Sequence, residues 1–157
     1  MKTNQHRRVI AGVDIIAEAE RLIRLKEFRD TFVETRTGKT GKPRRYYVLP
    51  EIVVRQSQTK DDCSGRCTPS QRRIVMTLSK DADAAEVCIL LLHELCHFGC
   101  GDGKVHAHNA AYKSLLAKAA YEAYGVDACP DQSCCALDYE ILGLLRERSR
   151  RVAKAMK

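Results

Sequence analysis

Two histidines and a glutamate at fixed spacing dominate the chemistry this chain could perform. The stretch Leu91-Leu92-His93-Glu94-Leu95-Cys96-His97 has the pattern H-E-x-x-H. On an α-helix, residues i and i+4 share a face about one turn apart. His93 and His97 can therefore offer two imidazole nitrogens to one metal ion. Glu94, one residue further round, can reach a water held beside that ion. Two ligands with an adjacent general base are the core of a zinc hydrolase site. The run containing the motif (Val87, Ile89, Leu90, Leu91, Leu92, Leu95) is strongly apolar, as expected of a helix buried on most sides. Titratable side chains inside such a helix are costly unless partnered, which favours a metal over idle polar groups.

A catalytic zinc takes three protein ligands and keeps a fourth position for water. Outside the motif the chain has only three histidines, His6, His106 and His108. His6 lies in a polar terminus. His106 and His108 follow a break at Gly99, Gly101 and Gly103, where the chain can turn back toward the motif helix. Glu122 and Glu140 are the carboxylate alternatives. Residue types alone leave the third ligand open among these. The metzincin pattern requires Gly at position 100 and His at position 103; the chain has Cys100 and Gly103, which speaks against that family.

The segment HELCHFGCGDGKVHAHNAAYKSLL resembles the SprT-like (Spartan-like) zinc metallopeptidases, over roughly residues 72–124. In that family the motif helix is followed by a variable loop, a histidine, an aromatic residue four positions on, and often a lysine. His108, Tyr112 and Lys113 match this register, whereas His106 would put Ala110 at the aromatic position. Asn109 stands where family members often have glycine, and the paired C-x-x-C of a C-terminal zinc ribbon is missing. The resemblance implies a zinc-dependent endopeptidase. It assigns Zn²⁺ to His93, His97 and His108, makes Glu94 the general base, and suggests action on proteins associated with DNA. Tyr112, Tyr121, Tyr124 and His106 are candidate second donors to a developing oxyanion, with Tyr112 better suited to the core. The rival reading is a nucleic-acid-binding or adaptor protein with a structural or degenerate metal site. The intact Glu94 speaks against it, since a structural site has no need of a base.

Eight cysteines are many for 157 residues. With no export signal they read as thiols rather than disulfides. Cys88 and Cys96, on the motif helix, suit small core positions. Cys63, Cys67, Cys129 and Cys134, with Cys135 beside them, lie in polar segments and are candidates for a second, structural zinc site.

The net charge is +7, concentrated in two segments. Residues 36–45 hold five basic side chains and no acidic one, and residues 146–157 hold six and one. Both are candidate contacts for DNA phosphates. No apolar run is long enough to span a bilayer, and the N-terminus makes a poor signal peptide, so the expected location is the cytoplasm. Nothing in the sequence bears on oligomeric state.

These groups need a scaffold. The length suits one domain: a flexible N-terminus at 1–10, a metallopeptidase domain at 11–145 and a basic helix end at 146–157. Periodicity predicts a helix over 11–34, a Gly- and Lys-rich loop at 36–45, and a strand over 46–55. A polar segment at 56–71 precedes a strand over 73–79. The motif helix follows, starting at the acids 81–83 and running to about 98. Further helices are predicted over 106–123 and 136–155, separated by a turn near 129–135. The fold class is α+β: a zincin-like minimal metalloprotease with a small antiparallel or mixed sheet packed on the motif helix and its flanking helices. The strand at 73–79 is the expected exposed edge for an extended substrate.

Overall fold

A computed structural model describes residues 8–58, 63–100 and 108–157. Along the chain run β1 (Val9–Ile10), β2 (Val13–Asp14), α1 (Ile15–Leu22), β3 (Val33–Thr37), β4 (Pro43–Tyr47), β5 (Glu51–Ser57), β6 (Ser64–Thr68), β7 (Arg73–Ser79), α2 (Ala84–Gly99), α3 (Ala110–Tyr124) and α4 (Cys134–Ala155). Single 3-10 turns occur at Lys26–Phe28 and Pro69–Gln71. The class is α+β, with four helices and small sheets among the described residues.

The sheet next to the motif helix has three strands in the order β5-β7-β6. β7 runs parallel to β5, with Ile74 opposite Ile52, and antiparallel to β6, with Met76 opposite Gly65. The alternation in β7 reads true: Ile74, Met76 and Leu78 are fully buried beneath the helices. Its expected role as an edge strand does not hold, because β7 is central. The two outer strands of this sheet are β5 and β6, and β6 is the one beside the motif helix residues. Its polar composition disguised it: Ser64, Gly65 and Arg66 are exposed, and Cys67 alone is buried.

Two more expectations change. The helix predicted over 11–34 stops at Leu22, and a 3-10 turn follows. Leu25, Phe28 and Phe32 are all buried, and their spacing of three and four mimics a helix face. Phe28 and Phe32 meet edge to face at 5.2 Å. The segment 36–45, expected as a loop, belongs to the antiparallel hairpin of β3 and β4, with Arg36 opposite Arg44. Gly41 makes its turn possible at φ +71°, and its N–H donates to the Gly38 carbonyl (2.9 Å). Of the N-terminal segment 1–10, residues 1–7 lie outside the described residues, while Val9 and Ile10 pair with Asp14 and Val13.

α2 is the hub. Its N-terminus is a capping box: the Asp83 carboxylate accepts from the Glu86 N–H (2.9 Å), and the Glu86 carboxylate accepts from the Asp83 N–H (2.8 Å). Val87, Leu91, Leu92 and Leu95 are fully buried, and α2 packs on α1, α3, α4, β6 and β7. α4 starts at the Ser133 cap, and its Arg146 reaches back to Asp83 (2.7 Å) and Glu86 (3.4 Å). One helix therefore clamps the start of the other. Among the described residues no helix is long and apolar enough to cross a membrane.

Asp83 serves both the cap and the clamp. Asp83→Ala is expected to cost about 1–2 kcal/mol, most of it from the cap, because half-exposed ion pairs contribute little. Urea unfolding should show a lower midpoint with an unchanged slope.

Candidate metal centre

The motif places its side chains as the helical spacing requires. His93 and His97 project from one face of α2, and Glu94 is buried beside them at 3% exposure. The third imidazole comes from His108, immediately before the α3 cap. There the Asn109 side-chain oxygen accepts from the Tyr112 N–H (2.9 Å) and caps the helix. His108 Nε2 lies 3.2 Å from His93 Nε2 and 3.2 Å from His97 Nε2.

That spacing can be tested against zinc. Zn–N bonds of about 2.0–2.1 Å in tetrahedral geometry put ligand nitrogens about 3.3 Å apart. Both distances from His108 Nε2 match, and the three imidazoles together bring ligand atoms within 4.8 Å of one another. Hydrogen bonding alone suits them poorly, because each N–H can point at one acceptor only. On His93 the tautomer follows from its other nitrogen. Nδ1 lies 3.1 and 3.0 Å from the two oxygens of Asp138 on α4. A carboxylate can only accept, so in the neutral imidazole Nδ1 bears the proton and Nε2 presents a lone pair. Burial alone would lower the His93 pKa, but the Asp138 carboxylate outweighs it and the net shift is upward.

Tyr112 underlies the three imidazoles. Its ring stacks on His97 at 4.7 Å and lies 4.8 Å from His108 and 5.3 Å from His93. Its hydroxyl donates to the His93 carbonyl (3.1 Å). Tyr112 is fully buried, as expected, and supports the three imidazoles rather than reaching into the cleft. Tyr124 donates to Glu18 (2.7 Å), and Tyr121 is exposed on another face. None of the three tyrosines lines the cleft beside the imidazoles. His106 lies outside the described residues. Glu122 accepts from the Lys26 and Glu27 N–H groups and so caps a 3-10 turn, and Glu140 accepts from the Cys129 N–H. Both carboxylates are structural.

A cleft of about 220 Å³ opens over the imidazoles, lined by Gly65, Arg66, Cys67, His93, Glu94, His97 and His108. Gly65 on β6 is the close approach that makes it possible. A Cβ there would sit 2.1 Å from Glu94 Oε1. Burial, with the Asp138 charge adding and His93 opposing, pushes the Glu94 carboxyl up to about 7.

Cys63, Cys67, Cys129 and Cys134 do not assemble a second site. Cys67 sits on β6 beside Glu94, and burial pushes its thiol up to about 12. Cys63 immediately precedes the same strand, and four residues of extended chain span about 13 Å, too far to share an ion. Cys134 instead meets Asp138, with Sγ 4.0 Å from Oδ2, and burial pushes it up to about 12 as well. Cys129 is exposed. The groups that converge to ligand distance among the described residues are His93 with His97 and His108, and His93 with Cys134 and Asp138. Among the described residues, which include all eight cysteines, no disulfide is formed. Asp138 and Gly65 escaped the sequence reading. The one available signal for Asp138 was an acid among the core positions Leu137, Ile141 and Leu145 of an amphipathic helix.

The raised Glu94 pKa has a consequence for the metal-free protein. Folding moves it from the ordinary 4.5 to about 7, so the folded chain holds this proton more tightly than the unfolded chain. The stability it contributes is complete below pH ~4.5 and is lost as pH rises through ~7. Glu94→Gln, neutral at every pH, should flatten that fall. Thermal unfolding of both metal-free proteins between pH 4.5 and 8 checks it, the variant being the more stable at the upper end.

Compared with known proteins, the chain matches no family model, no curated protein and no solved structure.

Proposed function

We propose that the protein is a zinc-dependent endopeptidase of zincin-like build, with His93, His97 and His108 as ligands and Glu94 as general base. The observation that carries this reading is the approach of His108 Nε2 to 3.2 Å from the Nε2 atoms of both His93 and His97, beside a buried carboxylate. Zinc bound there would acidify a water toward pKa ~7 and polarise a carbonyl oxygen. Glu94 would take the proton of the attacking water and pass it to the leaving amine.

Peptides are the favoured substrate because of β6. It borders the cleft and pairs on one side only among the described residues. Its other edge is available to align an extended chain, with the scissile bond over the imidazoles. The reading of DNA-associated substrates draws on the basic hairpin β3–β4. There Arg36, Arg44 and Arg45 accompany Tyr46 and Tyr47, both exposed. Part of its charge is already paired, Arg36 with Glu34 and Arg45 with Asp30. In the C-terminal segment Arg146 and Arg151 are paired as well.

Two substitutions test the mechanism on the zinc-loaded protein with an unfolded protein substrate, assayed with and without single-stranded DNA. Glu94→Gln should keep zinc and lose about 10²–10⁴-fold in cleavage rate. Gly65→Ala, by displacing Glu94, should keep zinc and lose about 10²-fold. Cleavage surviving Glu94→Gln overturns the mechanism. Zinc binding without cleavage of any protein favours the adaptor reading, and cleavage indifferent to DNA removes only the nucleic-acid part.

A further inference from the structure

The metal-centre reading deepens at Asp138. We propose that Asp138 is a positioning residue for the metal centre: by accepting the Nδ1–H of His93 it fixes the ring so that Nε2 is held ready for the ion. This inference rests on the assignment of His93, His97 and His108 as ligands.

The geometry carries it in three steps. First, both Asp138 oxygens lie near Nδ1, at 3.1 and 3.0 Å, so the contact tolerates small rotations of either group. Second, the partner is on α4 while the ligand is on α2. A long-range contact therefore fixes the ring from outside its own helix. Third, α4 cannot slide freely, because Arg146, two turns beyond Asp138, holds Asp83 and Glu86 at the start of α2. Asp138 is in turn approached by the Cys134 thiol one turn earlier. A carboxylate hydrogen-bonded to a ligating imidazole raises its basicity and fixes its tautomer.

The same atoms allow a competing use. His93, Cys134 and Asp138 offer ligand atoms within 4.8 Å of one another, a set able to hold its own ion. The hydrogen bond is favoured because His93 already turns Nε2 toward His108, in the group completed by His97. An imidazole serving two ions must give up both ring protons, whereas one serving a single ion keeps the proton that Asp138 is placed to accept.

The experiment uses the full chain as wild type, Asp138→Ala, Asp138→Asn and Cys134→Ser. Zinc stoichiometry comes from native mass spectrometry, affinity from competition with a chromophoric chelator, and ligand geometry from the Co²⁺ d–d spectrum. The expected result is one zinc in every protein. Affinity should fall about 10- to 100-fold in Asp138→Ala, with a shifted Co²⁺ spectrum. Asp138→Asn, whose amide oxygen can still accept from Nδ1, should fall between it and wild type, and it serves if the alanine variant does not fold. Affinity and spectrum unchanged in both Asp138 variants overturn the proposal. A second zinc in wild type that disappears in Cys134→Ser also overturns it, since Asp138 is then a ligand. Wild type that binds no zinc overturns the metal-centre reading itself, an outcome distinct from the other two.

Discussion

His93 is the residue on which the arrangement depends. Its Nε2 faces His108, its Nδ1 faces Asp138, its carbonyl accepts the Tyr112 hydroxyl, and its ring lies against Tyr112. α2, α3 and α4 thus all converge on one side chain. An imidazole in an apolar setting must have every polar atom accounted for, because each orphan costs on the order of 1–3 kcal/mol. Once α2 is buried, that requirement constrains where Asp138 and Tyr112 can be, and through them how α4 and the start of α3 dock.

Much of the centre was legible because its information is local. H-E-x-x-H is a spacing on a helix, and helical spacing survives into the fold almost unchanged. His108 was readable through its register with Tyr112 and Lys113, and the structure brings its imidazole to the other two. Tyr112 was read correctly as core. The parts that were hidden depend on contacts between elements distant in sequence. Asp138 is 45 residues from His93, and nothing local marks it as a partner. β6 was hidden for another reason: an exposed edge strand lacks the apolar alternation by which strands are recognised, and Gly65 removes one more side chain from the pattern. Cys63 and Cys67 suggested chelation by type, but extended chain holds them apart, and Cys134 converges instead with His93 and Asp138.

The two basic regions differ more in structure than in composition. The first is a hairpin whose strands and exposed tyrosines give it a defined shape, with Arg24 lying over Tyr47 at 5.0 Å and Arg36 over Tyr46 at 5.7 Å. Guanidinium groups held on aromatic faces are partly pre-ordered, so less side-chain entropy remains to be lost when an anion arrives. The second is the exposed end of α4, whose inner turns spend their charge on holding α2. Equal charge density therefore does different work in the two places.

Gly65 has a consequence that reaches past the placement of Glu94. The space its side chain would need is filled by the carboxylate, so this wall of the cleft is bare main chain. Peptide groups are common to every polypeptide, and a wall made of them cannot tell one residue from another. Change at position 65 is closed off as a means of tuning preference, since any side chain there would displace Glu94. Discrimination among partners has to be built elsewhere around the cleft, and the chain keeps this one position generic.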